Sequence, residues 1–386
     1  FGDERGIADT IRYSQLDVPV FVHAFPDEID KMDVSNRRDS FCGKISICNI
    51  FYQYGIKFTL SSFHTLTLDE EFKKEIDNFI KICRILKNLK NLKIGAIGTR
   101  PVAFKTVRYS EKILENNGIS VDTIDLSEIF SKIDKIQNND IKVKDEFEQL
   151  KNYADTSLIS DQAIIKMAKF KIVIENWIRE YDIKTVAIQC WNSIEENYGI
   201  APCIVMSYLS NYLIPSACEV DITGALGMYI LQIASEKPSA IVDWNNNYKN
   251  EKDKCVLFHC SNFPISFFEE NKIVSSEIIK SSVGEENAYG SIIGKIKAGH
   301  FTFLRLSTDD IKGEIKAYTG EGEITEEKVK TFGGYGVAEI KNLQKLLKFI
   351  CENGFEHHTC INFSNVSNII YEALKKYKKW DIYKND

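Results

Sequence analysis

No two cysteines in this sequence stand in a C-x-x-C spacing, which removes support for a zinc ribbon or a thioredoxin-like redox pair. The ten cysteines, among them Cys42, Cys48, Cys83, Cys190, Cys203 and Cys218, are scattered, and several sit inside apolar runs. That pattern reads as reduced, buried thiols and a cytoplasmic protein rather than a disulfide scaffold. There is no 18-residue apolar stretch and no charged-then-apolar leader, so neither a membrane span nor secretion is expected. The net charge of −6 comes without a basic stripe or an aromatic-interleaved Lys/Arg run, which argues against nucleic acid as a partner. Also missing are a Gly-x-Ser-x-Gly elbow, a Walker loop and a Gly-x-Gly-x-x-Gly turn after a strand. The Gly95-Ala-Ile-Gly98 stretch is too weak a phosphate signal to carry an argument.

What remains is an ordinary globular composition, 44% hydrophobic and 27% charged. At 386 residues it exceeds the roughly 250–300 residues that one core supports, so two or three domains are expected. Val18-Pro-Val-Phe-Val-His-Ala reads as a buried strand, and Glu70 to Leu89 repeats apolar residues at helical spacing. Leu92-Lys-Ile-Gly-Ala-Ile, a helix over Val107 to Asn117 closed by Gly118, and a strand beginning at Val121 form a parallel βαβ unit. A helix around Gln162 to Tyr181, the strand Thr185-Val-Ala-Ile-Gln and a helix over Ile204 to Leu213 continue the α/β texture. After Pro238 the runs become short and β-like, which predicts an antiparallel β domain interrupted by one helix, Ile340 to Asn353. The expected division is 1–90, 91–237 and 238–386. The first region holds few strand–helix units for a doubly wound domain and begins with Phe1 instead of Met, so an incomplete N-terminal α/β domain is expected.

Carboxylates in apolar surroundings are the informative signal, because a buried ionised group needs a partner or a cation. Glu219 lies between two apolar runs, and Asp243 follows Ala240-Ile-Val at an expected strand end. The plainer alternatives are a helix-terminus charge for Glu219 and a cap or turn residue for Asp243. Only six histidines occur, two of them adjacent, His357 and His358, while His259 ends an apolar strand. Oxygen and imidazole donors together suit Mn²⁺, Mg²⁺, Co²⁺ or Zn²⁺. A cation between two carboxylates can polarise a carbonyl and its neighbouring hydroxyl while a carboxylate moves a proton between adjacent carbons, which is aldose–ketose isomerisation. Asp309-Asp310 reads as a turn pair.

Seven short segments carry a family resemblance: Arg37-Arg-Asp-Ser-Phe-Cys-Gly, Arg108-Tyr-Ser-Glu, Gln189-Cys-Trp, Ala217-Cys-Glu-Val-Asp, Val242-Asp-Trp-Asn-Asn-Asn, Leu257-Phe-His-Cys and Gly354-Phe-Glu-His-His. Over nearly its whole length the chain resembles the L-fucose/L-arabinose isomerase superfamily, in particular its shorter fucose-isomerase-like branch. The resemblance implies two Rossmann-like α/β domains followed by a C-terminal antiparallel β-barrel. It also implies trimers or hexamers whose active sites are shared between subunits. Glu219 and Asp243 match the positions that bind the metal and trade the substrate proton, and His358 matches the histidine that completes the site. His259 matches a further ligand used by arabinose-type members, and the choice between His357 and His358 stays open. Mn²⁺ is the ion the resemblance favours, ahead of Co²⁺ or Mg²⁺.

Gln189 and Trp191 are candidates to border a sugar, against an alternative of strand-end packing, and Asn245 and His357 are counted with them as substrate-binding. Arg37 and Arg38 could grip a carboxylate or sulfonate as a fork, or be a solvated turn. The expected function is therefore a metal-dependent isomerase of a free sugar of the L-fucose, L-arabinose or D-arabinose type. The alternatives are a sulfonated hexose such as sulfoquinovose as substrate, or a sugar-binding protein that kept the fold without the chemistry.

Overall fold

The structure is a computed structural model that describes residues 3–386, so the opening Phe1 falls outside the described residues. They divide into two compact units, residues 3–87 with 372–379 and residues 88–371 with 380–386.

The first unit has a two-stranded parallel sheet, β1 (Val20–Val22) beside β2 (Phe58–Leu60), in register Val20 to Phe58. The Val18–Ala24 run is thus strand only at its centre. Ala8, Val22, Ile47 and Phe51 make a small core with the helices Glu4–Tyr13 and Ser40–Tyr54. The long helix Glu70–Asn88 follows the predicted periodicity. Arg37 and Arg38 lie in this unit, each with a side chain about 45% exposed. Arg37 pairs with Asp39, and Arg38 donates to the Pro26 carbonyl at 2.8 Å.

The second unit begins with a parallel sheet in the order β4-β3-β5-β6, formed by β3 (Leu92–Ile97), β4 (Ile119–Ile124), β5 (Thr185–Ile188) and β6 (Ser216–Ala217). Gly95 lies within β3, where it permits a close approach: a Cβ there would sit 2.7 Å from the Trp177 ring of the helix Asp161–Glu180. That helix starts where Ser160 accepts from the Ala163 N–H at 3.2 Å, and it buries Ile164, Met167, Phe170 and Ile174. The helix expected over Val107 to Asn117 is broken into a 3₁₀ turn, Lys105–Val107, and a short helix, Glu111–Glu115. Because all four strands are parallel, their carboxyl ends lie at one edge, where an open α/β sheet places its ligand crevice.

The remaining strands are β7 (Ala240–Tyr248), β8 (Glu251–His259), β9 (Lys272–Ser275), β10 (Tyr289–Lys295), β11 (Gly299–Asp309), β12 (Glu314–Ile324), β13 (Gly334–Glu339), β14 (His358–Asn362) and β15 (Asp381–Lys384). They form one nine-stranded sheet, β15-β12-β11-β14-β7-β8-β13-β10-β9, with an additional β12–β13 pairing through Glu323 to Glu339 and Ile324 to Ala338. The expected antiparallel domain is in fact mixed, since β10 runs parallel to β13 and β15 parallel to β12. Asp309 ends β11 and accepts from the Ile311 and Lys312 N–H groups, so the predicted turn pair is a turn. The helix Leu343–Glu352 stands where the C-terminal helix was predicted, and Gly354 beyond it takes the left-handed φ of +59° of a C′ glycine.

Candidate active site

Glu219 sits on the connection between β6 and the helix Ile222–Ser235, at the carboxyl end of the parallel sheet. The sequence alternative of a helix-terminus charge is taken by a different residue: Asp221 is the N-cap, accepting from the Gly224 N–H at 2.8 Å. Glu219 and Val220 both have positive φ, +60° and +55°. For a β-branched residue that conformation costs roughly 1–3 kcal/mol, strain of the kind that collects at functional sites.

Asp243 and His358 arrive from the large sheet as direct cross-strand partners of β7 and β14. The expected strand end at Asp243 is corrected, because β7 continues to Tyr248 and the carboxylate stands inside the strand just before a bulge between Trp244 and Asn246. The residues around that bulge alternate less cleanly than an ordinary strand, which hid the continuation.

These elements bring three donor atoms together. His358 Nε2 lies 3.7 Å from Glu219 Oε2 and 3.5 Å from Asp243 Oδ1. Each of the three atoms is buried and has no hydrogen-bond partner among the described residues. Three converging, unsatisfied donors of this kind would be costly unless a cation is shared between them. His357 Nε2 lies 3.7 Å from both carboxylates, and His259 falls within 4.8 Å, donor atom to donor atom, of Glu219 and His358. Both members of the histidine pair therefore face the centre, His358 fully buried and His357 about one third exposed.

The protonation of these groups follows from burial. Desolvation raises Glu219 to about 7, with His358 and His259 pulling the other way. Asp243 is raised for the same first reason. His357 is pushed down to about 3, by burial first and by His358 second. Burial would also lower His259, but Cys260, Asp243 and Glu219 outweigh it and hold the imidazole near 10.

A second layer, absent from the sequence expectations, fixes His358. Its Nδ1 lies 2.8 Å from Asp221 Oδ2, and the same carboxylate accepts from Arg305 Nη1 at 2.5 Å and Nη2 at 3.0 Å. Arg305 Nε in turn donates to Glu356 Oε2 at 3.1 Å, and Ser307 Oγ donates to Glu356 Oε1 at 2.8 Å. Asp221 and Arg305 are completely buried. The Arg305 guanidinium and His358 hold Asp221 far below the usual carboxylate range against the cost of its burial. A carboxylate that fixes the tautomer and angle of a ligating histidine is what metal centres require. The signal was readable: Arg305 interrupts the apolar run Phe301, Phe303, Leu304, and a buried arginine demands an acid.

The other candidates are distributed unevenly. Trp191 meets Phe104 edge-on at 5.3 Å, and Phe104 stacks on His357 at 6.1 Å, so an aromatic wall runs up to the centre. Gln189 is bound by the protein itself: its Oε1 accepts from the Thr99 N–H at 2.8 Å and its Nε2 donates to Ser193 Oγ at 3.0 Å. Asn245 is exposed at the bulge, in a depression shared with Gln344 and Leu347.

Residues 1–90 match the family described as fucose/sulfoquinovose isomerase, N-terminal domain, and residues 257–384 match L-fucose isomerase, C-terminal domain. A sulfoquinovose isomerase of Priestia aryabhattai is 23% identical over 340 residues, covering 87% of this chain and 74% of the relative. One from Alkalicoccus urumqiensis is 24% identical over 305 residues, covering 78% of this chain and 66% of the relative.

Proposed function

The chain belongs to the fucose isomerase-like superfamily, and on that premise we propose that it is a metal-dependent aldose–ketose isomerase acting at the Glu219–Asp243–His358 centre. The observation that carries this reading is the meeting of three buried donor atoms, Glu219 Oε2, Asp243 Oδ1 and His358 Nε2, none of which has a hydrogen-bond partner among the described residues. The donor set, two carboxylate oxygens and an imidazole with His259 and His357 at hand, fits Mn²⁺, Co²⁺ or Mg²⁺.

When bound, such an ion supplies Lewis-acid polarisation of the substrate's carbonyl and keeps the neighbouring acids ionised despite burial. The chain's own residues do the rest. One carboxylate of the pair takes the proton from C2 of the open-chain aldose, the double bond shifts to give an enediol, and a proton is delivered to C1 to give the ketose. The C2–H and O2–H bonds break and C1–H and O1–H bonds form, so the C2 hydroxyl becomes the ketone and the aldehyde oxygen the hydroxyl, with no net change of oxidation state across the molecule. Glu219, whose Oε2 is buried at the centre without a hydrogen-bond partner among the described residues, is suited to hold and return that proton. Asp221 and Arg305 keep His358 oriented, and Phe104 with Trp191 supplies an apolar wall that excludes water from one side.

A sulfonated hexose is favoured as substrate over L-fucose, L-arabinose or D-arabinose by the relatives, which are sulfoquinovose isomerases. The segment that carries Phe104 also holds Arg100, Lys105 and Arg108, cations of the type that bind a sulfonate. Arg37 and Arg38 remain candidates for the same anion, contributed within a homotrimer or hexamer with shared sites. We read the β12–β13 pairing as closing part of the large sheet into a barrel that carries Asp243 and His358, following two α/β domains over 1–90 and 91–237. The free state of the ten cysteines supports a cytoplasmic location. Retention of all three donors argues against a binding protein without chemistry.

Replacing Glu219→Gln tests the reading. Ketose formation from sulfoquinovose should fall by at least ~10²-fold, in the range expected for a removed acid–base group, with folding unchanged by circular dichroism. Wild-type turnover in the folded variant would remove Glu219 from the reaction.

A further inference from the structure

Four of the ten cysteines meet at a place the isomerase centre does not use. Cys218 Sγ lies 2.7 Å from Cys190 Sγ and His259 Nδ1 lies 3.5 Å from Cys260 Sγ, while Cys203 and Cys218 both act electrostatically on the Cys260 thiol. They come from four separate elements: the end of β5, the first turn of the helix Cys203–Asn211, the end of β6 and the residue after β8. Beside them Glu195 is completely buried, and neither of its carboxylate oxygens has a hydrogen-bond partner among the described residues. Burial raises its carboxyl to about 8.

A buried cysteine is ordinarily a small apolar side chain, and that accounts for each one taken singly. It does not account for the Cys218 and Cys260 sulfurs meeting an imidazole, with Cys190 against Cys218 and an unpaired acid nearby. The ligand atoms of Cys218, His259 and Cys260 all lie within 4.8 Å of one another. A tetrahedral ion with sulfur ligands at about 2.3 Å spaces them about 3.8 Å apart, so one ion can reach all three. Cys190 Sγ lies against Cys218 and can complete the set, with Cys203, which acts electrostatically on Cys260, as the alternative. Cys260 is the partly exposed member and gives the cluster a route to solvent.

We propose that Cys218, His259 and Cys260, with Cys190 or Cys203 as fourth ligand, form a second metal site, for a soft or borderline cation such as Zn²⁺, Cd²⁺ or Cu⁺. It is chemically distinct from the oxygen-rich centre, because thiolates select ions that Mn²⁺ and Mg²⁺ sites do not. Each thiol that ligates the ion releases its proton to solvent. Glu195 stays outside the ligand set in the neutral form that burial favours, which suits a centre whose three thiolates already balance a divalent ion. His259 belongs to both donor groups, so the two sites share a wall.

Co²⁺ tests this without reference to turnover. Reduced, metal-free protein titrated with Co²⁺ should develop a near-ultraviolet sulfur-to-cobalt charge-transfer band that saturates at one equivalent of thiolate-bound ion. The oxygen and imidazole ligands of the other centre cannot produce that band. It should be lost in Cys260→Ser and in Cys218→Ser, and kept in Glu219→Gln and in Cys42→Ser. Absence of the band in the wild-type protein, or its persistence in folded Cys260→Ser, overturns the proposal. So does a Cys190–Cys218 disulfide, seen as two fewer reactive thiols in unfolded, unreduced protein and assigned to that pair by peptide mapping.

Discussion

Asp221 serves four partners at once: the Gly224 N–H, the Thr223 hydroxyl, the Arg305 guanidinium and His358 Nδ1. Its role is to fix His358, so Asp221→Asn should weaken Mn²⁺ binding by roughly 10–100-fold, the usual effect of losing such a support. Isothermal titration checks it, and unchanged affinity would mean that His358 is oriented by strand pairing alone. Glu219 makes a second, pH-dependent prediction for metal-free protein. Its folded value of about 7 lies above the ordinary 4.5, so the folded state holds a proton that the unfolded chain has released. Stability is therefore greatest below 4.5 as far as this group is concerned and falls as pH rises through about 7, by about 3 kcal/mol in total. Urea midpoints at both ends of that window should converge in Glu219→Gln, and a divalent cation should restore the loss in the wild type. At this scale the sequence was legible where a charge stood in an apolar run, as at Glu219 and His358. At Arg305 the charge in an apolar run was legible too, but not its partners Asp221 and Glu356, which are 84 and 51 residues away.

Two kinds of element build the centre. The β6 connection presents Glu219 through a strained turn, and the β7–β14 pair presents Asp243 and His358 in register. The helix Ile222–Ser235 ties them, because its N-cap is the same Asp221 that holds His358. Gly224 makes that geometry possible: a Cβ there would lie 2.6 Å from Asp221 Oδ2 and 2.6 Å from Ile241 Cδ1. Alanine would gain about 1 kcal/mol of helix propensity, but overpacking in a filled core costs about 1–3 kcal/mol. Gly224→Ala should thus lower both the melting temperature and Mn²⁺ affinity, and a stabilised variant with unchanged affinity would contradict the packing argument. Periodicity foretold the long helices Glu70–Asn88 and Asp161–Glu180 almost to their ends. It failed over Lys105–Glu115, where the chain is a 3₁₀ turn and a short helix instead of one continuous helix. It also failed at the parallel pairs β10–β13 and β12–β15, because strand direction is decided by tertiary pairing that alternation does not encode.

For the molecule as a whole, the resemblance carried by seven short segments led to the same superfamily that matches residues 1–90 and 257–384. Composition alone could reach only a globular α/β chain, because function resides in a few side chains that the fold brings together. Among the described residues no helix is long and apolar enough to cross a membrane. The central claim is that divalent cation and carboxylate pair act together on an open-chain sugar. The most direct measurement strips the whole protein with chelator and restores Mn²⁺. It is then incubated with sulfoquinovose, L-fucose, L-arabinose or D-arabinose in deuterated water, and the products are followed by NMR. The account predicts ketose only in the restored sample, with solvent deuterium entering C1 and sulfoquinovose converted fastest. Equal conversion by the stripped protein, or tight Mn²⁺ binding with no ketose from any of the four sugars, would contradict it.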